Sequence, residues 1–589
     1  MRNALATLLG QKLPAPMEGA IEKLLLLDRF DSLYADVPGA GARPIAERSL
    51  ALLNVRPCVS DRDLALIPKS GPVVVVANHP FGLIEGAILA ALLPSIRPDV
   101  KVMANHLLAA MPEASDLCIF VDPFGGERAA RANHKGLKGA IAWLKQGGML
   151  AVFPAGEVSH LNLKERSITD PEWSQSIARL IRITGATVLP IYFLGMNSAL
   201  FQLLGCLHPR VRTALLPHEF FNKHNRSIEL RIGSPITAAK VRAYQDDVAL
   251  IRYLRHRTYL LQDREAAKQQ LRIFPPEPPP AVPVNELLAG EVSKLAPDRT
   301  LVENEDFAVL LAKASETPNV LHEIGRLREL TFRKVGEGTG NAIDLDRFDD
   351  HYWHLFVWNR HSREVAGAYR LGPSDEILDR FGPRGFYTSQ LFQWKQPFLD
   401  RISPALELGR SFVRPEYQKT YAPLLLLWKG IGQFLVRHPQ YKLLFGPVSI
   451  SNGYTAASRH LMVKFLSVYR QSPEFAPLVR ARNPFRQRPS LGDRSSKLAD
   501  QLIGSTVWDV EELSALIADV ETDRKGVPVL LKQYLKLGGE LAAFHVDRRF
   551  ANALDGLIIV DLRKTDVRVL ERYMGKDGAA QYLKSKPAP

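Results

Sequence analysis

The chain has 589 residues, of which 46% are hydrophobic and 23% are charged. This length and composition suit two or three globular domains and exclude a fibrous or wholly disordered protein. The net charge of +14 at pH 7 favours a polyanionic partner, which is a nucleic acid, an anionic membrane surface or an acidic carrier protein.

The cysteines and the hydropathy of the chain restrict the class of protein further. Cys58, Cys118 and Cys206 are odd in number and far apart, so we expect neither a disulfide framework nor a cysteine metal site, and we expect a reducing compartment. No stretch of about 20 residues is free of charged and turn residues, so no membrane span is predicted. The N-terminus lacks the apolar core of a secretory signal.

Residues 71–86, GPVVVVANHPFGLIEG, combine a strand pattern with two ionisable side chains. The four valines at 73–76 show no alternation, which predicts a strand covered on both faces, as in the parallel sheet of an α/β domain. Ligands of such sheets bind at the carboxyl ends of strands, and Gly82 allows a tight turn before a helix over residues 84–92. There His79 can take a proton near neutral pH, and Glu85 can fix its tautomer, so together they can activate a hydroxyl.

The remainder of the first half predicts alternating strands and helices. Apolar segments at 100–105, 118–122 and 187–193 are separated by stretches of helix length, which indicates crossover connections in an α/β sheet.

A basic stripe is predicted on the helix over residues 127–145. Its members, Arg128, Arg131, Lys135 and Lys138, recur at steps of three and four and share one face. Such a stripe is either a solvated face or a surface that contacts phosphopantetheine, an acidic acyl carrier or lipid phosphates.

Three segments of the first half resemble motifs of the glycerolipid acyltransferases, in the order that this family shows: ANHPFG, FPAGEVS and TVLPIYF. The resemblance implies O-acyl transfer with His79 as the base and Glu85 as its partner, and it places Asn78 and Gly82 in the substrate-binding loop. This chain departs from the family pattern at two positions: Glu85 comes one residue later than the usual acid, and Ala155 stands where the family has glutamate. We therefore expect Glu157 to make the polar contact with the acceptor, and the identity of the acceptor stays undecided. The form NHPFG followed by an acid is more similar to the hemolysin-like or ornithine-lipid acyltransferases.

A composition change separates the halves. PPEPPPAVPV holds six prolines in ten residues, a density that favours extended chain over helix or central strand. We therefore predict an O-acyltransferase domain over residues 1–270, a proline-rich linker over 271–300 and a second domain over 301–589.

The second half predicts a mixed domain. We expect a helix over residues 319–331, strands over 354–358, 364–370 and near Phe386, a strand over 406–413, and a helix over 423–437. A strand, a turn and then a helix can hold a pyrophosphate or phosphopantetheine, because the first helical N–H groups lack internal partners.

The blocks DRFDDHYWHLFVW, ELGRSFVRPEYQ and VPVLLKQYLKLGGELAAFHVDRRF resemble the hemolysin-like ornithine N-acyltransferases, which are GNAT relatives of the acyl-homoserine-lactone synthases. The resemblance implies that Glu407 is the base for an attacking amine, although an ion pair with Arg410 is the alternative. It also implies that Asp346 and Asp349 bind the acceptor's amino group, or else cap a loop.

These patterns together predict an α/β two-domain protein, with an N-terminal glycerolipid-acyltransferase-like α/β domain and a C-terminal GNAT-like α+β domain. The combination resembles the bifunctional ornithine-lipid synthases. It implies acyl carrier protein as the acyl donor and partner, ornithine and lyso-ornithine lipid as substrates, and an anionic membrane surface as a second partner. No bound cofactor, metal or nucleic acid is expected, and the location is expected to be cytoplasmic, at the inner face of the cytoplasmic membrane.

Three alternatives stay open. The first is a lysophospholipid acyltransferase fused to a GNAT domain, and the second is an amino-acid lipid synthase that uses glycine. The third is a non-enzymatic basic protein that binds a membrane or a nucleic acid.

Overall fold

The computed structural model describes residues 42–106, 115–121, 127–162, 167–205, 209–264, 285–335, 337–418, 422–485, 503, 509–550 and 552–585. The described residues cluster into two compact units. The first comprises those up to Arg264 with Ala518–Val520, and the second comprises the others.

The first unit is built on a mostly parallel sheet. Its helices are α1 (Ala42–Leu52), α2 (Asp61–Leu64), α3 (Ile84–Ile96), α4 (Glu127–Lys145), α5 (Gln175–Thr184), α6 (Ala199–Gly205), α7 (Pro209–Phe221), α8 (Ala238–Arg242) and α9 (Asp247–Leu260). Its strands are β1 (Arg56–Cys58), β2 (Val73–Ala77), β3 (Val100–Asn105), β4 (Cys118–Val121), β5 (Met149–Val152), β6 (His160–Asn162), β7 (Ser167–Thr169), β8 (Thr187–Phe193) and β9 (Ser227–Ile232). The sheet order is β1-β9-β8-β2-β5-β3-β4, and β9 runs antiparallel to β8.

Strand β2 lies at the centre of this sheet, between β8 and β5. All five of its residues are buried, which confirms the prediction that both faces are covered. Because β2, β5 and β8 are parallel, their carboxyl ends share one edge of the sheet, and the loop that carries His79 begins at that edge.

The second unit holds a larger, mostly antiparallel sheet. Its helices are α10 (Asn285–Val292), α11 (Pro318–Lys334), α12 (Ser374–Phe381), α13 (Gln396–Arg401), α14 (Ala422–Arg437), α15 (Ala456–Tyr469), α16 (Val510–Val520, of which the last three residues cluster with the first unit), α17 (Val529–Lys536), α18 (Val567–Met574) and α19 (Lys576–Lys584). Its strands are β10 (Thr300–Glu303), β11 (Phe307–Lys313), β12 (Trp353–Asn359), β13 (Glu364–Pro373), β14 (Phe392–Trp394), β15 (Leu406–Val413), β16 (Leu443–Ile450), β17 (Val479–Ala481), β18 (Glu540–Asp547) and β19 (Ala553–Asp561).

The order of the main sheet is β10-β11-β12-β13-β15-β16-β19-β18. Its parallel neighbours, β15 and β16, pair at two positions, Leu406 with Leu444 and Glu407 with Phe445, although each strand has eight residues. The two strands therefore separate beyond Glu407, next to the residues predicted to carry chemistry.

Two predicted features differ from the structure. The segment around Phe386 is not a strand but two 3₁₀ turns, Gly382–Gly385 and Tyr387–Gln390, because Gly382 adopts a positive φ of 61° and Pro383 follows it. The predicted linker includes α10, whose Leu288 is buried in an apolar cluster of the second unit. The proline run itself lies outside the described residues.

Among the helices that the structure describes, none is long and apolar enough to cross a membrane.

Candidate active sites

The imidazole of His79 and the carboxylate of Glu85 form a close pair at the carboxyl end of β2. His79 Nδ1 lies 2.8 Å from Glu85 Oε1, and the two side chains are 15% and 0% exposed. The ring also stacks on Phe153 with a centroid distance of 4.3 Å. Since Nδ1 faces the carboxylate, Nε2 is the nitrogen left to take a proton from a substrate.

The environment of Glu85 keeps it charged. Its Oε1 also accepts the backbone N–H groups of Phe81 and Gly82, each at 2.9 Å. Burial on its own raises the pKa of Glu85, but the charge of His79 and the hydrogen bonds from His79 and Gly82 outweigh it and leave this pKa below its ordinary value. An ionised Glu85 stabilises the imidazolium that forms when His79 accepts a proton.

The side chain of Asn78 joins two strands, and its predicted role in substrate binding stays a prediction. Its Nδ2 donates to the Phe193 carbonyl at 3.0 Å, and its Oδ1 accepts the Phe193 N–H at 2.7 Å. Asn78 therefore fixes the end of β2 against β8, which holds the His79 loop in place.

Asp170 supports His79 and is absent from the predicted site. Its Oδ1 accepts the backbone N–H of His79 at 3.1 Å and the hydroxyl of Ser159 at 2.5 Å, while Oδ2 accepts the Trp173 indole N–H at 3.0 Å. Burial raises the pKa of Asp170 although these donors oppose it. No sequence pattern links Asp170 to a histidine 91 positions away.

The FPAGEVS segment lies beside the histidine loop. The Ser159 N–H donates to the His79 carbonyl at 2.8 Å, and half-buried Glu157 lies two residues before Ser159. The basic helix α4 is present, but the side chains of Arg128 and Arg131 lie outside the described residues.

We expect Gly82→Ala to lower the free energy of unfolding of the first unit by about 1–3 kcal/mol. Gly82 has a φ of +103°, and a Cβ there would lie 2.6 Å from Leu216 Cδ2. Thermal unfolding of the full chain checks this. The matched control is Gly86→Ala in α3, where no heavy atom lies within 4 Å of the added Cβ. That variant should gain up to about 1 kcal/mol from helix propensity, and equal losses in both would contradict the argument.

The second unit contains a cavity of about 1160 Å³ beside the carboxyl half of β15. Arginines and aspartates dominate its charged lining: Arg347, Arg384, Arg410, Arg482, Arg548, Arg549, Asp344, Asp346 and Asp547. Two predicted site residues, Asp346 and Arg410, therefore lie in one wall. A cavity with this excess of arginine suits an anionic ligand.

Arg410 is held at the cavity by both charge and aromatic contacts. Its NH1 lies 3.2 Å from Asp344 Oδ2, and its NH2 lies 3.5 Å from Asp346 Oδ2. The guanidinium also lies over the rings of Tyr387 and Phe550, at 4.8 and 4.3 Å from their centroids. The alternative of an ion pair between Arg410 and Glu407 does not hold, because these aspartates are the partners of Arg410.

Asp349 lies behind the cavity wall in a buried charge network. Its Oδ1 lies 3.0 Å from Arg328 NH1 and 3.2 Å from Arg370 NH1, and all three side chains are almost fully buried. Arg370 also donates to Asp346 at 2.7 Å. Burial raises the pKa of Asp349, but Arg328 and Arg370 outweigh it and hold that pKa well below its ordinary value.

Glu407 is fully buried at the point where β15 and β16 part, and it is not among the residues that line the cavity. Its Oε1 accepts the Thr388 N–H at 2.9 Å, and its Oε2 accepts the Tyr352 hydroxyl. Tyr352 accepts in turn the N–H of Tyr387, a cavity residue, at 3.0 Å. That Glu407 acts as the base for an amine stays a prediction. Its contacts also show that Glu407 holds the Tyr387 segment in position.

Two family models match separate parts of the chain. A family model described as Acyltransferase matches residues 56–267, and one described as Acetyltransferase (GNAT) domain matches residues 327–428. The chain is an acyltransferase fusion. The first match contains His79 and Glu85, and the second contains Asp346 and Arg410.

Curated relatives of the acyltransferase fusion are named as acyltransferases of amino acids or of a lyso-amino-acid lipid. Glycine N(alpha)-acyltransferase of Phocaeicola vulgatus is 39% identical over 195 residues, 31% of this chain and 59% of that protein. L-ornithine N(alpha)-acyltransferase of Brucella abortus is 32% identical over 194 residues, 30% and 67% of the two chains. Lyso-glycine lipid O-acyltransferase of Phocaeicola vulgatus is 28% identical over 185 residues, 30% and 64%. The fusion thus matches about two thirds of each relative's length or less.

Proposed function

We propose that the acyltransferase fusion makes an acylated amino-acid lipid in two steps. The second unit transfers a 3-hydroxyacyl chain from acyl carrier protein to the α-amine of ornithine, and the first unit esterifies the 3-hydroxyl of that lyso-lipid. The observation that carries the proposal is the His79–Glu85 pair, with Nδ1 and Oε1 2.8 Å apart, on the same chain as the arginine-rich cavity. Relatives named for N-acylation and for O-acylation support the pairing of the two reactions.

The geometry of the first unit supports the proposed O-acylation. His79 Nε2 accepts the proton of the lipid hydroxyl while the hydroxyl oxygen bonds to the thioester carbonyl carbon. The C–S bond then breaks, and the proton passes from Nε2 to the departing thiolate. Glu85 holds Nδ1–H and stabilises the transient positive charge.

The N-acylation is assigned to the cavity of the second unit. The neutral α-amine attacks the thioester carbon, a C–N bond forms, the C–S bond breaks, and one N–H proton goes to the thiolate. Arg410 lies in the wall where it can hold the carboxylate of the acceptor, while Glu407 keeps the Tyr387 segment in position. The arginines and the net charge of +14 suit an acidic carrier protein and an anionic membrane surface at the cytoplasmic face.

Purified protein supplied with 3-hydroxyacyl carrier protein and ornithine tests the proposal. We expect lyso-ornithine lipid first, then the diacyl lipid when a second acyl carrier thioester is added, both identified by mass spectrometry. Lysophosphatidate offered as the competing acceptor should stay unmodified. Acylation of lysophosphatidate without any amino-acid lipid would overturn the proposal.

Glycine is the second candidate acceptor, because the glycine N-acyltransferase relative shares 39% identity with the chain over 195 residues. The same assay with glycine in place of ornithine separates the two acceptors.

A further inference from the structure

Three strands of the second unit place a row of polar side chains on one face of the sheet. Asp555 in β19 pairs with Ser449 of β16 on one side and with His545 of β18 on the other. Residues directly opposite in an antiparallel pair point to the same face, and so does Asp547, two positions after His545. His545 and Asp547 line the cavity, so the β18 end of this row borders it, and Asp555 lies beside His545 on the same face.

Three buried acids meet in this region with few partners. Glu337, Asp547 and Asp555 are 8%, 5% and 7% exposed. Glu337 accepts the Ser449 hydroxyl at 2.8 Å, and Asp547 accepts the Arg549 N–H at 2.8 Å. Within the part of the chain that the structure describes, the Asp555 carboxyl group has no hydrogen-bond or ion-pair partner, and neither of the other two carboxyl groups has a lysine or arginine within ion-pair distance.

Buried carboxylic acids are costly to ionise without a cation nearby, and a positively charged ligand placed among them would remove that cost. Burial, reinforced by Asp547 and Glu337, raises the pKa of Asp555 well above its ordinary value, and burial raises the pKa of Glu337 to about 7. Arg410 acts on Asp555 from a distance but is paired with Asp344 and Asp346.

His545 does not supply the missing charge. Its Nδ1 accepts the Asn483 N–H at 3.1 Å, so the neutral ring carries its proton on Nε2. Burial lowers the pKa of His545 and opposes its protonation, although Asp547 acts in the other direction.

A metal ion does not fit these acids. Among the described residues no three histidine, cysteine, aspartate or glutamate side chains are grouped to hold one. An ammonium group has three donors and can be shared between carboxylates that are too far apart for a common metal ion.

Resting on the proposed function, we infer that Asp555 and Asp547, with Glu337 beside them, form a subsite for a second ammonium group on the amino-acid acceptor. The acceptor is then a diamino acid such as ornithine. Glycine has no group to occupy this subsite and would leave the acids unpaired, which a site built on polar contacts rejects strongly.

Acylation rates with ornithine and with norvaline test the inference, because norvaline has the same carbon chain without the terminal amine. We expect wild-type kcat/KM to favour ornithine by roughly 10²-fold or more. Asp555→Asn should reduce kcat/KM for ornithine by roughly 10-fold to 10²-fold, mainly through KM, and leave norvaline unaffected. Exposed Asp577→Asn is the matched control and should change neither rate.

The shift in unfolding temperature on addition of each amino acid tests the subsite without requiring acyl transfer. The same measurement detects a variant that fails to fold. Stabilisation of wild type by ornithine but not norvaline, weakened in Asp555→Asn, supports the subsite even where no acyl transfer occurs. Equal use or equal binding of ornithine and norvaline by wild type, or equal losses for both in Asp555→Asn and Asp547→Asn, would overturn it.

Discussion

Replacing His79 with alanine is expected to stop O-acylation and leave N-acylation intact, so that mono-acylated amino-acid lipid accumulates. The imidazole is the one group on the β2 loop placed to take a hydroxyl proton, with Nδ1 held 2.8 Å from the Glu85 carboxylate. Loss of a positioned base typically costs roughly 10²–10⁴-fold in rate. Mass spectrometry of lipids extracted from a host that expresses each variant measures the two products, and rates with purified protein give the factor.

A second histidine in the first unit provides the control. His160 is half-buried in the β6–β7 hairpin, and its Nδ1 lies 3.2 Å from the Val158 carbonyl. His160→Ala should leave both products at wild-type amounts. Glu85→Gln retains an oxygen for the Phe81 and Gly82 N–H groups but loses the charge, so it should slow O-acylation less than His79→Ala does. Unchanged diacyl lipid in His79→Ala would refute the assigned role.

Local sequence was sufficient to place the histidine loop. The valine run of β2 predicted a doubly covered strand, and parallel neighbouring strands made its carboxyl end the expected place for a ligand site. Since His79 and Glu85 are six residues apart and a helix begins between them, their proximity was also a local property. The predicted helix over 84–92 extends to Ile96, because a proline at 94 does not end it.

Contacts between distant residues could not be predicted in the same way. Asp170 reaches the backbone of His79 only after β6, β7 and the following loop have folded, and Arg370 reaches Asp349 across neighbouring elements of the second unit. The assignment of Glu407 to β15 was correct. The alternation of apolar and polar residues along one strand does not, however, predict which buried side chain donates a hydrogen bond to the carboxylate. Here that side chain is Tyr352, 55 positions away.

Replacing Asp349 with alanine is expected to destabilise the second unit by roughly 3–5 kcal/mol, because Arg328 and Arg370 would keep their buried charges without this partner. The Asp346 N–H, which donates to Asp349 Oδ2 at 2.8 Å, would lose its acceptor as well. Hydrogen exchange of peptides from β12 and β13, measured in the full chain, reports the second unit separately from the first.

Two further measurements distinguish the loss of this network from the loss of any negative charge. They are the pH dependence of the stability difference and the effect of replacing a neighbouring aspartate. Because the folded pKa of Asp349 is below its ordinary value, the carboxylate stays ionised in the folded and unfolded chains between about pH 5 and 8. Its stabilising contribution is therefore complete over that range and declines only as the pH falls toward the folded pKa, so the difference between wild type and Asp349→Ala should be constant there. Exposed Asp350→Ala should change stability by no more than about 0.5 kcal/mol. Similar exchange rates in the two variants would mean that Arg328 and Arg370 do not depend on Asp349.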